Sequence, residues 1–353
     1  MDRSHPSPDK CPLCGSTSFE TRYQNIKRFK RTYSVYECKG CGLGITHPFP
    51  DLDHLAEFYS SESYRDRGGR RFIAPVEAVV QGLRTGRLRK IGSLASKGRM
   101  LDVGCGRGLM LAMAQRMGWL VTGVEFNDET AAPARAELGL DIRTGRLSDI
   151  GFKKNSFDAI TFWHSLEHLE DAVDAVREAA GLLKPGGMLL ISVPNFESLQ
   201  SRMSGTGWFH LDVPFHLYHF STLNIKRLLA NCGLEVVREE HSSMEFNPFG
   251  FVQSLLNMAG LRHNLLYDML KTGSLRPKGE EMGSAADTYI TALLLPFVGI
   301  ASVFFTALEV LLRKGGTVNI YAKKSPLIKE RIHNPSKRTP AVEASSFMKQ
   351  KGH

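Results

Sequence analysis

The chain has 353 residues, a 42% hydrophobic and 23% charged composition, and a formal charge of +9. Such a mix belongs to a folded protein of two or three units and excludes chain-long disorder, a collagen-like repeat and a small stapled scaffold. Four of the six cysteines fall in two Cys-x-x-Cys pairs, which points to metal binding in a reducing compartment rather than to a disulfide framework.

Met1 to Lys10 is polar, with Pro6 and Pro8, and lacks the apolar core of a secretory signal, so the expected location is cytoplasmic. Cys11-Pro-Leu-Cys14 and Cys38-Lys-Gly-Cys41 follow, each pair closed by a glycine. Two thiolate pairs on tight turns form the ligand set of tetrahedral zinc, and they predict a zinc ribbon over residues 1–47. Four sulfur ligands leave no open coordination position, so this Zn2+ is expected to be structural. Residues 48–98 read as a basic helical linker: positions 65–99 hold ten Lys/Arg, including Arg65, Arg67, Arg70, Arg71, Arg84, Arg87 and Lys90, against Asp66 and Glu77. That concentration suits an anionic partner, whether an acidic lipid surface or nucleic acid, unless it is only a solvated helix face.

From about residue 99 the pattern changes to short buried strands, Met100–Val103, Val121–Val124, Ala159–Phe162 and Met188–Val193, alternating with helical stretches near 109–117, 129–138 and 171–183. This predicts an α/β domain over 99–325 with a mostly parallel, Rossmann-like sheet and helices on both faces. A helix at 223–231 and strands at Leu234–Arg238 and Thr317–Ala322 complete it.

The first strand runs Leu101-Asp102-Val-Gly104-Cys-Gly106-Arg-Gly108 into a helix, a turn whose missing side chains allow a ligand to lie against backbone. Glu125 ends the next strand about 20 residues later, where a carboxylate can accept hydrogen bonds from ribose hydroxyls. The Gly-x-Gly-x-Gly spacing differs from the Gly-x-Gly-x-x-Gly of dinucleotide sites, which disfavours NAD and FAD. With Phe157-Asp158 and Leu183-Lys-Pro-Gly-Gly187, the chain resembles class I S-adenosylmethionine-dependent methyltransferases over about 99–238 and 315–323. The resemblance implies S-adenosyl-L-methionine as cofactor. Gly104 and Gly106 would then lie at its methionine end with Asp102 in support and Gly108 in the same loop. Glu125 would hold the ribose and Arg146 and Leu147 would lie near adenine, with Trp163 among the contacts. The family often has an acid where Arg146 stands.

Acceptor chemistry is expected beyond the carboxyl ends of the strands, in Phe162-Trp163-His164-Ser-Leu-Glu167-His168. This segment resembles that of ubiquinone-pathway O-methyltransferases, where an acid-x-x-Glu-His arrangement is associated with a divalent metal. Here His164 replaces the first acid, so a metal and a histidine general base both remain open. So does a purely structural part for Glu167 and His168, ordering the loop and starting the next helix. A second cluster, Trp208 to Phe220, can cover the pocket and offers His210, His216 and His219 as further bases.

The layout of zinc ribbon plus methyltransferase core is similar to bacterial enzymes of surface-glycan assembly, which implies a small-molecule, sugar or lipid-linked glycan acceptor. Between the last two strands lies an apolar helical insertion, 246–314. Its first part, Phe251–Leu270, reads as an amphipathic helix broken near Gly260, and Ile290–Leu308 is 19 residues without a charge, interrupted by Pro296 and Gly299. That is near the length of a membrane span. A full crossing would put two neighbouring strands on opposite sides of a bilayer, so a re-entrant hairpin, an interfacial helix, a dimer contact and a buried cap are the alternatives. Peripheral contact of 247–314 with the inner face of the cell membrane is the expectation. An RNA acceptor gripped by the ribbon and the basic segment is the second reading. Residues 326–353 read as a disordered basic tail.

Overall fold

The computed structural model describes residues 8–28, 30–50, 74–275 and 284–325. The basic tail at 326–353 and Arg65, Arg67, Arg70 and Arg71 of the linker lie outside the described residues.

The N-terminal segment folds as three antiparallel strands, β1 (Phe19–Arg28), β2 (Arg31–Cys38) and β3 (Gly44–His47). Helix α1 (Ala74–Leu94) follows. The α/β region then runs β4 (Arg99–Val103), α2 (Leu109–Arg116), β5 (Leu120–Glu125), α3 (Asp128–Leu138), β6 (Ile142–Thr144), β7 (Phe157–Trp163), α4 (Ala172–Leu182) and β8 (Leu183–Pro194). After it come α5 (Leu199–Ser204), the two-residue β9 (Tyr218–His219), α6 (Thr222–Asn231), β10 (Leu234–Glu240), α7 (Asn247–Met258), α8 (Leu265–Thr272), α9 (Ala285–Leu311) and β11 (Thr317–Lys324).

Seven strands form one sheet in the order β10-β11-β8-β7-β4-β5-β6. β4 to β8 pair in parallel, and β11 lies antiparallel between β10 and β8, with Thr317 opposite Pro194. This is the Rossmann-like arrangement expected from the alternating pattern. Its helices start where the sequence supplies caps: the Asn127 side chain accepts from Thr130 N, and Ser221 and Asn224 form a reciprocal capping box. Helix α4 buries seven of its eleven residues, all Ala, Val or Leu, against the sheet. That stripe is the conventional amphipathic solution, apolar residues inward and Asp174, Arg177 and Glu178 outward.

Two features depart from a simple chain of modules. β9 pairs with β3, with Gly44 opposite His219 and Ile45 opposite Tyr218, so the N-terminal sheet takes its fourth strand from the methyltransferase region. Cys11, Leu13, Cys38, Leu43 and Ile45 accordingly share one buried core with Leu101, Ile160, Leu189 and Ile191 of the large sheet. The described part of the N-terminal segment, residues 8–28 and 30–47, is continuous with the domain it precedes.

The insertion breaks at 259–264 between α7 and α8, as Gly260 suggested. Its uncharged half is a single helix of 27 residues, α9, that runs through Pro296 without interruption. This rules out the hairpin. A buried cap is also excluded, because the polarity of α9 is inside out. Its buried residues are Thr291, Ser302, Thr306 and Glu309, whereas Phe297, Ile300 and Leu311 are 68%, 75% and 80% exposed. The inward face is polar because it meets polar partners: Glu309 accepts hydrogen bonds from Gln200 N, Gln200 Nε2 and Gly316 N. α7 packs antiparallel on α9, with Phe251 stacked on Phe305 at 5.5 Å, and Leu294 and Val298 against Val252, Leu256 and Leu266.

Candidate active site

The loop after β4 shows what each glycine is for. Gly104 (φ +74°) comes so close to Ser165 that a Cβ would sit 2.4 Å from the serine Cβ, and Ser165 Oγ donates to Val103 O at 2.6 Å. Gly108 (φ +70°) faces the protein instead: its Cβ would meet Leu140 Cδ1 at 2.6 Å, so it seats α2 against the sheet and is not brought to the ligand side. Gly106 (φ +53°) has nothing within 4 Å of where a Cβ would project, and this open cradle is where a ligand can approach backbone. Glu125 frames it: Oε2 accepts from Gly106 N at 2.9 Å and Oε1 from Asn127 N at 3.1 Å, which fixes the carboxylate at the loop. Burial raises the Glu125 pKa, and those backbone N–H groups oppose the rise. Asp102 is buried with one oxygen accepting from Thr161 Oγ1 at 2.7 Å, and desolvation pushes it up to about 7. A cationic ligand would favour the ionised form of both carboxyls.

At the other proposed cofactor contacts, Arg146 pairs with Glu170 at 2.7 Å and the Leu147 side chain enters the main core. Trp163 packs beside α1, with the Arg87 guanidinium 5.5 Å from its ring centroid. Arg87 also lies 5.2 Å from the ring of Phe246, which in turn stays 4.1 Å from His164.

The acceptor side is assembled from two segments. His164 directly follows β7 with φ +47°, an uncommon backbone conformation for a residue with a side chain, and its Nδ1 lies 3.3 Å from Glu167 Oε1. Glu167 is 1% exposed, and among the described residues neither of its carboxylate oxygens accepts a hydrogen bond. The connection after α5 brings His216 to the same place, its Nε2 4.0 Å from Glu167 Oε1. His216 Nδ1 bonds to His210 O and His168 Nδ1 to Phe215 O, each at 2.9 Å. A carbonyl can only accept, so both Nδ1 atoms carry the proton and both Nε2 lone pairs are free to act. Burial pushes His216 down to about 4 and lowers His168 as well, while it raises Glu167. One ligand atom from each of Glu167, His168 and His216 falls within 4.8 Å of the others. Among the described residues His216, from a distant loop, completes this trio in place of His164.

The four cysteines also converge. Cys11 and Cys41 sulfurs are 3.6 Å apart and those of Cys14 and Cys38 3.5 Å. Tetrahedral Zn–S bonds of about 2.3 Å put sulfurs roughly 3.8 Å apart, so the set fits a zinc ion. Cys105 and Cys232 lie outside it, both half-buried with burial raising their thiol pKa values.

A family model described as a methyltransferase domain matches residues 79–239. A ubiquinone biosynthesis O-methyltransferase from Xanthomonas axonopodis pv. citri (strain 306) is 31% identical over 163 residues, covering 43% of this chain and 67% of that relative. One from Xanthomonas campestris pv. campestris (strain B100) is 38% identical over 103 residues, covering 28% of this chain and 43% of that relative. Among solved structures, geranyl diphosphate C-methyltransferase from Streptomyces coelicolor A3(2) aligns with a TM-score of 0.46 at 18% identity, covering 70% of this chain and 82% of that one. The chain belongs to the class I S-adenosylmethionine-dependent methyltransferases, and the open cradle at Gly106 beside Glu125 fits that cofactor.

Sequence reasoning missed Ser165, which holds the loop at Gly104, and Phe246, which packs on His164. Neither carries a motif. It named His216 with His164, Glu167 and His168 as catalytic candidates, His210 and His219 being alternative bases, but not the strand pairing that brings His216 to Glu167.

Proposed function

We propose that the enzyme methylates a hydroxyl of an amphiphilic small molecule, a lipid-linked glycan or a quinone precursor being the two chemistries in view, at the inner face of the cell membrane. The observation that carries the acceptor chemistry is the trio of buried Glu167 and His216 with half-buried His168, in which two imidazole lone pairs and a carboxylate converge. The Xanthomonas relatives are named O-methyltransferases of ubiquinone biosynthesis, which supports an oxygen acceptor.

S-adenosylmethionine supplies an electrophilic methyl group on a sulfonium. Gly104, Gly106 and Glu125 would hold it at the carboxyl end of β4 and β5. His216 or His168 Nε2 would accept the proton of the acceptor hydroxyl as its oxygen takes the methyl group, and the Glu167 carboxylate would stabilise the imidazolium that results. A divalent cation held by the same three residues would instead lower the pKa of the hydroxyl. The four cysteines would hold structural zinc.

The membrane reading rests on the inside-out polarity of α9. Cations lie near the α7–α8 connection that precedes it: the β1–β2 hairpin exposes Lys27, Lys30 and Arg31, and burial together with the charges of Arg28 and Arg262 pushes His263 of that connection down to about 3. An apolar face beside cations suits an anionic bilayer surface. The RNA reading is weakened by the described part of the basic segment, where Arg84, Arg87 and Lys90 are paired with Glu245 and Glu240.

The test is transfer of labelled methyl from S-adenosylmethionine into a cell extract, partitioned into organic, nucleic-acid and small polar fractions. Label in the organic phase, abolished by His216→Ala together with His168→Ala, is the expected result. Nuclease-sensitive label refutes it. Glu125→Ala and Gly104→Val should each weaken cofactor binding at least tenfold in calorimetry, and wild-type affinity in both would sink the cofactor site.

A further inference from the structure

Thr46 ties the N-terminal sheet to the backbone of the acceptor site. Thr46 on β3 is fully buried. Its N–H donates to Leu217 O at 3.0 Å, and its hydroxyl donates to His216 O at 2.6 Å. Because a hydroxyl has a single proton, its 3.0 Å contact with His219 Nε2 must be one in which the histidine donates. From the other side, Leu217 N donates to Glu167 O at 2.8 Å. The backbone that carries His216 is therefore held between the Glu167 loop and β3.

The β3 side of this clamp is set by the cysteine cluster. Cys38 N donates to Leu43 O, which closes the turn leading into Gly44. That turn is tied to the large domain by Asn224 Nδ2, which donates to Cys41 O at 2.5 Å, and by Arg227, which donates to Gly40 O at 3.2 Å. The close approach is built in: a Cβ on Gly44 would stand 2.8 Å from that of His219.

We propose that Thr46 is a positioning residue, through which the four-cysteine hairpin sets the reach of the His216 imidazole toward Glu167. This rests on reading His216 and Glu167 as acceptor-side machinery. An isolated structural ribbon would leave turnover indifferent to Thr46. A ribbon that holds the register of β9 makes the rate depend on it, since a displacement of about 1 Å in a reacting group can cost on the order of a hundredfold.

The experiment compares Thr46→Val, Thr46→Ala and Thr46→Ser in the full chain. The readouts are the initial rate of label transfer from saturating S-adenosylmethionine into the extract fraction that accepts it, calorimetric cofactor affinity, and the imidazole nitrogen resonances of His216 and His219. Val and Ala should slow transfer tenfold or more, leave cofactor affinity within twofold and move both histidines' resonances, with His219 losing its fixed Nε2–H tautomer. Ser should retain the rate within about threefold. A wild-type rate, or wild-type His216 resonances, in both Val and Ala overturns the inference. A wild-type rate in the His216→Ala, His168→Ala double variant would instead remove the proposed chemistry while leaving the resonance result to stand or fall alone.

Discussion

The chain adds two segments to its methyltransferase sheet, and they are attached in opposite ways. The four-cysteine hairpin is sewn in: its apolar residues Leu43 and Ile45 join the main core, and it borrows β9 to complete its own sheet. The last helix of the insertion, α9, is tethered to the domain by polar contacts, Glu309 to Gln200 and Gly316, and apart from the residues packed on α7 it turns its apolar side chains outward. The difference teaches that hydrophobicity in a sequence reports a demand for an apolar partner but not where that partner is.

Breaking the hairpin's metal site should give the largest effect. Cys38→Ser, or chelation of the zinc proposed for the four cysteines, should expose β1–β3 to proteolysis and take the β9 connection with it, because metal binding and folding are coupled at structural thiolate sites. A chelated protein with wild-type melting and turnover would separate the ribbon from the domain. The same Leu→Ala change then sharpens the contrast. At buried Leu43 it should cost about 2–5 kcal/mol of stability by denaturant unfolding, whereas at Leu293, 69% exposed, it should cost under about 0.5 kcal/mol. Phe297→Asp with Ile300→Asp should leave the melting temperature within about 2 °C by the same reasoning, yet abolish flotation with vesicles rich in anionic lipid. Retained flotation would remove α9 as the contact.

The pH dependence of the comparison belongs to the sheet between the two segments. Asp102 lies at about 7 in the folded chain against 3.8 in model compounds. A carboxyl whose folded pKa is raised costs stability once ionised, so the cofactor-free fold should lose stability as pH rises from about 4 to about 7 and change little above that. Cofactor binding, by adding positive charge, should release a fraction of a proton near pH 7, seen as a buffer-dependent binding enthalpy that Asp102→Asn reduces.

Much of this was legible in the sequence for physical reasons. The strands read as apolar runs because a parallel sheet is covered on both faces, and the glycine loop with Glu125 read as a site because both are local patterns. The helix break near Gly260 and the four cysteines were local too. What did not read was non-local. The β3–β9 pairing joins Ile45 to Tyr218 with no signal in either stretch, and it decides that His216 among several histidines faces Glu167. The straightness of α9 through Pro296 also exceeded the pattern, since packing on α7 sustains a helix that local preference would interrupt.

The position of β11 has a consequence for how the molecule is made. It is the strand between β10 and β8, so the sheet remains split until Thr317–Lys324 has been synthesised. At about 5–20 residues per second, α9 leaves the ribosome just ahead of it, while the seam it must lead back to is still open. The outward face of α9 is therefore made while the domain behind it is still open, one strand short of its sheet.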